Sequence, residues 1–169
     1  MNKTLASWNE TDETAAIQAM LSCCGARRWA AAMVALRPIA GVVELSVAAD
    51  RIWSTMEEPD WMEAFACHPR IGDRTAAGAS EKSVAWSKQE QSCAAGARRE
   101  VLAQLAAGNA HYEQRFGFTY IVCATGKTAE QMLGILNRRL ANERASELRE
   151  AAEQQRLITQ IRLGKWLLE

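Results

Sequence analysis

Histidine and proline are scarce in this chain of 169 residues, with two of the first and three of the second, and acidic and basic side chains cancel at 20 each. Zero net charge leaves no field to draw in a polyanion, so neither nucleic acid nor an anionic membrane is an expected partner. Long hydrophobic runs are missing too: the longest, Trp29 to Leu36, is far too short to span a bilayer. The five cysteines (Cys23, Cys24, Cys67, Cys93 and Cys123) are odd in number and contain no Cys-x-x-Cys pair, which argues against a disulfide framework and against a zinc site. They are expected to be reduced and mostly packed. Residues 1–10 are polar and lack the charged-then-apolar order of a secretion signal, so a cytoplasmic setting is expected.

What is present is helical. With 49% apolar and 24% charged residues, the chain fits one globular domain over 1–169 with a real core. Segments rich in Ala, Leu, Glu, Gln and Arg recur at helix length and predict helices near 12–23, 27–36, 42–56, 59–67, 87–95, 97–115, 129–141 and 143–166. Gly25, Arg37-Pro38, Pro59, Pro69, Gly96 and Gly117 fall at the breaks. Thr128 with Gln131 has the form of a capping box for the seventh helix. The expected fold class is all-α, a bundle of about eight helices. In the helix from Ala97, the residues Val101, Leu102, Leu105, Asn109, Tyr112 and Phe116 recur at three and four and predict a core-directed face, with His111 off that stripe on the surface.

Two segments break the pattern. Residues 74–83 are small and polar and predict a loop. Phe118 to Cys123 is β-branched and aromatic and prefers an extended backbone. A lone extended segment leaves N–H and C=O groups without ladder partners, so the run is either a buried connector or a stretch that a polar substrate completes. Gly126-Lys127-Thr128 after it hints at a phosphate loop, but that motif needs glycine where this chain has Ile121.

Three places carry chemistry. His68, directly before helix-stopping Pro69 in the run Cys67 to Asp73, is a titratable group fixed at a chain bend, suited to move a proton. Ser87-x-x-Glu90-Gln91 has two readings: on a helix the three side chains share one face, and the same spacing is a capping box with Ser87 as cap. Arg162 has Ile158 and Trp166 at i−4 and i+4, so it snorkels outward, pairs with a buried acid, or points into a pocket.

Taken in order, His68-Pro69, Ser87-x-x-Glu90-Gln91, Arg115-Phe116-Gly117-Phe118, Ile121 to Ala124 and Ile161-Arg162-Leu163 resemble the 2-oxo-4-hydroxy-4-carboxy-5-ureidoimidazoline (OHCU) decarboxylases of urate breakdown, over roughly Trp29 to Leu168. The resemblance implies an all-helical, usually homodimeric enzyme without cofactor or metal. It implies conversion of OHCU to (S)-allantoin and carbon dioxide, after urate oxidase and hydroxyisourate hydrolase have acted. It assigns His68 as catalytic acid, Glu90 as its essential companion and Arg162 as the anchor of a polar substrate edge. Pro69, the run Ser87, Lys88, Gln89, Glu90 and Gln91, and the run Tyr120, Ile121, Val122, Cys123 and Ala124 would line the substrate site.

The chemistry agrees with that assignment. Losing carbon dioxide beside an electron-poor heterocycle leaves a carbanion that the ring itself delocalises, so the protein need supply only charge stabilisation and one proton to one face. Two features differ from the family pattern. Tyr120 stands where phenylalanine is common, and the chain ends in Leu168-Glu169 rather than the peroxisomal tripeptide of some eukaryotic members, which points to a bacterial cytoplasmic setting. Rival readings are a thiol hydrolase using Cys67 and His68, whose adjacent side chains point apart, and a helical interaction module whose Ala, Leu and Trp stripes serve a partner.

Overall fold

The computed structural model describes residues 2–71, 80–92 and 98–169, and those residues form nine α-helices and no strand. The fold is all-α, as the periodicity predicts. In order the helices are α1 Lys3–Glu10, α2 Glu13–Cys23, α3 Arg27–Ala35, α4 Val42–Trp53, α5 Glu58–Ala66, α6 Glu81–Glu90, α7 Arg99–Phe116, α8 Ala129–Arg139 and α9 Arg144–Trp166. None of the described helices is long and apolar enough to cross a membrane. The backbone groups into two compact units: residues 1–64 with 156–169, and residues 65–155.

The first unit contains a helix that composition alone hides. The N-terminal decapeptide reads as polar, yet Asn2 accepts a hydrogen bond from the Leu5 amide and starts α1, which buries Leu5 and Trp8 at i and i+3. Two apolar residues suffice because each is fully enclosed. Trp8 also donates Nε1 to the Ala16 carbonyl and meets Trp166 edge-on at 5.9 Å. Trp29 on α3 donates to the Ala49 carbonyl of α4. The C-terminal part of α9 is tied to α4 by polar bonds: Gln160 donates to the Ser46 carbonyl and to Asp50, and Arg156 pairs with Asp50 at 2.9 Å. These contacts fix the rotation of the helix that carries Arg162.

The second unit runs from Phe65 to Gln155 and holds a cluster of aromatic rings. Tyr112 lies between Phe116, Phe118 and Tyr120 at centroid distances of 4.7, 5.6 and 5.2 Å, and Phe65 tilts against Phe118 at 5.3 Å. The core face of α7 is the expected stripe except for Leu102, which is partly exposed, and His111 lies on the surface as its spacing predicts. Gly117, at φ 82°, ends α7, and its amide donates to the Glu113 carbonyl at 2.8 Å. Thr128 and Gln131 form the full capping box at the start of α8. At Gly108, α7 and α8 approach so closely that an added Cβ would lie 2.6 Å from Leu136 Cδ2.

One expected boundary is wrong. The helix predicted from residue 87 begins at Glu81, because Ser80 rather than Ser87 is the cap and accepts from the Ser83 amide. Residues 80–83, read as loop, are therefore the cap and first turn of α6. Residues 74–79 of that loop, together with Cys93 and Gly96, lie outside the described residues. Cys23, Cys24 and Cys123 are buried and Cys67 is half-buried.

Asn109 is enclosed on the α7 core face at 2% exposure, and neither its amide nitrogen nor its oxygen has a hydrogen-bond partner among the described residues. A buried amide left unpaired costs roughly 1–3 kcal/mol. Asn109→Leu, nearly the same shape, should therefore raise the stability by about 1 kcal/mol in urea denaturation. A loss instead would show that the amide holds a bound water or ligand.

Candidate active site

Helix α5 ends just before His68, whose amide donates to the Phe65 carbonyl at 3.0 Å while buried Pro69 prevents the helix from continuing. The half-buried imidazole places Nε2 2.7 Å from Oε1 of Gln155, a buried residue of α9. With the amide oriented this way its oxygen accepts, so Nε2 carries the hydrogen and the ring orientation is fixed. Beyond Pro69, the Arg70 guanidinium forks onto the Glu113 carboxylate of α7 at 2.7 and 2.5 Å and anchors the bend.

The preceding residue of α9, Gln154, accepts from the Cys123 amide at 3.0 Å. One turn of α9 thus holds both His68 and the run 118–124, through neighbouring glutamines. Among the described residues that run has no strand partner. Its carbonyls are met by side chains: Arg139 donates to the Ile121 carbonyl at 2.7 Å and Lys127 Nζ to the Cys123 carbonyl at 2.7 Å, while the Lys127 amide bonds the Ala124 carbonyl. The amides of Val122 and Ala124 have no acceptor among the described residues. The Tyr120 hydroxyl, extra relative to phenylalanine, donates to the Met132 carbonyl at 3.1 Å, so it is satisfied without disturbing the run.

Behind the run is a buried ion pair that sequence reading missed. Arg139 and Glu147 both have wholly enclosed side chains, joined through Nε at 2.8 Å and a terminal nitrogen at 2.6 Å. Glu147 also accepts from the Tyr112 hydroxyl and from Asn142 Nδ2, and Arg139 lies 5.0 Å from the Tyr120 ring centroid. Burial pushes the phenols of Tyr112 and Tyr120 above the usual range, against the opposing pull of Arg139, so both stay protonated donors. Burial works against the Arg139 charge, but its hydrogen bond to Glu147 and the neighbouring Tyr112 and Glu147 outweigh it and hold its proton affinity above the ordinary value. The only hint available in sequence was an arginine that interrupts the apolar spacing of α8, and an arginine in the last turn of a helix normally looks like a solvated partner of the helix dipole.

The other expected site residues divide by burial. Ser87 and Glu90, at 3% and 8% exposure, are both buried on α6, and with Ser80 as the cap the capping-box reading of that motif is excluded. Lys88 and Gln89 lie on the exposed flank, and Gln91, at the C-cap, is half-buried. A carboxylate buried in the last turn faces the negative end of the helix dipole, a placement made at some cost to local stability. Arg162 lies on the part of α9 that belongs to the first unit and is 2% exposed, which removes the snorkelling alternative.

A family model described as OHCU decarboxylase matches residues 9–164. The chain belongs to the OHCU decarboxylase family. Among its relatives, the uric acid degradation bifunctional protein TTL of Arabidopsis thaliana is 35% identical over 85% of this chain, which spans only 44% of the plant protein. The 2-oxo-4-hydroxy-4-carboxy-5-ureidoimidazoline decarboxylase of Amia calva is 28% identical, over 79% of this chain and 77% of that protein. A crystal structure of an OHCU decarboxylase, determined in the presence of (S)-allantoin, matches at 33% identity with a TM-score of 0.76, covering 88% of this chain and 96% of that one.

For this family member, the buried pair makes a sharp stability prediction. Glu147→Gln leaves Arg139 charged in a dry site, so it should cost about 3–5 kcal/mol in urea denaturation. A loss under about 1 kcal/mol, the size expected for an exposed pair, would mean that water reaches Arg139.

Proposed function

We propose that the chain is a decarboxylase that converts OHCU to (S)-allantoin and carbon dioxide, working without a cofactor in the cytoplasm. The observation that carries the reading is the bend at His68. The histidine that the family pattern names as the acid is held by Gln155, next to the glutamine that holds the 118–124 run.

In this reading the carbon–carboxylate bond breaks, its electron pair passes into the heterocycle, and carbon dioxide leaves. His68 then delivers a proton to one face of the carbanion, which fixes the S configuration. Glu90 orients the substrate hydroxyl or the imidazole. Arg162 forks onto a carbonyl or carboxylate edge, a contact lysine could not reproduce. The amides of 120–124 meet the developing negative charge. The Cys123 amide is already engaged by Gln154, so the donors offered to substrate are other amides of the run, those of Val122 and Ala124 among them.

OHCU decays spontaneously, so chirality is the decisive readout. Mixed with freshly generated OHCU and followed by circular dichroism, the chain should produce (S)-allantoin much faster than the uncatalysed decay. His68→Ala should leave only slow, racemic product. No acceleration by the unaltered chain would overturn the decarboxylase reading, and fast formation of pure (S)-allantoin by the variant would overturn the role of His68.

The homodimer is part of the same proposal. On α4, Val43 and Val47 are 78% and 61% exposed, one turn apart, with exposed Glu44 and Arg51 flanking them. About a two-fold axis near Val47, antiparallel copies of this helix would bury the valines and set each Glu44 against the other copy's Arg51, an isologous and charge-complementary contact. Light scattering should give a dimer that Val47→Glu converts to monomer. A monomeric unaltered chain, or a variant that stays dimeric, would reject that surface.

A further inference from the structure

The run 118–124 is almost wholly buried yet has no strand to define its path. Side chains define it instead, and the most enclosed of them is Arg139, whose guanidinium reaches the Ile121 carbonyl with one nitrogen and Glu147 with two others. Replacing such a pair by apolar side chains of equal volume is commonly neutral or stabilising, so packing alone does not call for an arginine here. What arginine alone supplies is a planar fork that spans a carboxylate on one side and a backbone carbonyl on the other.

We propose that Arg139 is a positioning residue for the substrate: by holding the Ile121 carbonyl against the Glu147-braced fork, it sets the direction of the neighbouring Val122 amide. The peptide joining Ile121 to Val122 is planar, so fixing its carbonyl oxygen also fixes the Val122 N–H on the opposite edge of the same plane. The Cys123 amide, held by Gln154, pins the next peptide. Two consecutive peptide planes are thus locked from outside the run, leaving the Val122 amide pre-aimed rather than ordered by the ligand. Tyr120, with its ring 5.0 Å from the guanidinium and its hydroxyl on Met132, closes the near end. The inference rests on the decarboxylase reading and adds a residue that works through the loop without touching the substrate.

The test compares Arg139→Lys with the double variant Arg139→Met/Glu147→Met. Lysine keeps a charge for Glu147 but cannot span to the carbonyl, and the methionine pair fills the volume with no donor at all. Both should raise KM for OHCU about tenfold, as small misplacement of binding groups commonly does, and weaken (S)-allantoin binding in calorimetry to match, while kcat changes less. Leu105→Ala, a destabilising core change outside the network, should leave KM as it was. An unchanged KM in either folded variant, an equal rise in Leu105→Ala, or failure of both Arg139 variants to fold would overturn the positioning role. Absence of turnover in the unaltered chain would instead overturn the decarboxylase reading itself.

Discussion

Arg139 and Glu147 meet in the second unit with no exposed surface on either side chain, and the geometry around them follows from the need to satisfy those two charges. Removing both ions from water costs several kcal/mol each, and their attraction offsets that only when the remaining donors and acceptors are matched. Here they are. Glu147 takes Arg139, the Tyr112 hydroxyl and Asn142, and Arg139 spends a further donor on the Ile121 carbonyl. Helices α7, α8 and α9, the irregular run after α7 and Asn142 between α8 and α9 all take part, so the network ties five segments into one arrangement. An apolar core could hold the helices together as firmly. It could not specify where a strandless backbone run should point.

That constraint explains how an all-helical protein tolerates a buried stretch outside any helix. Backbone groups of a lone segment must find partners, and in the sequence the open question was whether a substrate or the fold supplies them. The fold supplies several of them: Arg139, Gln154 and Lys127 take the groups on Ile121 and Cys123, and the Val122 and Ala124 amides have no acceptor among the described residues. Polar groups that the run brings in are absorbed in the same way: the Tyr120 hydroxyl donates to the Met132 carbonyl.

Much of this was legible beforehand, and the failures have physical causes. Helix periodicity and glycine or proline breaks located α2 to α5 and α7 to α9 to within a few residues, because amphipathic spacing is the direct imprint of burial on one face. Helix α1 escaped because two large apolar residues in eight give too little periodicity, although Leu5 and Trp8 are both buried. Helix α6 was started six residues late because Ser80-x-x-Ser83 lacks the acid that made Ser87-x-x-Glu90 look like a cap. His68 and Glu90 were visible as types in context, and Arg162 as a charge on an apolar stripe. Arg139, Glu147 and Gln155 were not, since each alone reads as an ordinary helix-surface residue until its partner from another helix is known.

The choice of partner for His68 follows the same logic of orientation without added charge. A carboxylate beside the imidazole would hold the ring as firmly but would place another negative group in a unit that already buries Glu90 and Glu147. Glutamine supplies a carbonyl oxygen at 2.7 Å with no charge of its own. Successive residues on a helix point roughly 100° apart, so Gln154 and Gln155 reach two different segments from one turn of α9. The histidine bend and the 118–124 run thus share one turn of α9 as a common support, beside the Arg70–Glu113 fork at the bend and Arg139 and Lys127 at the run.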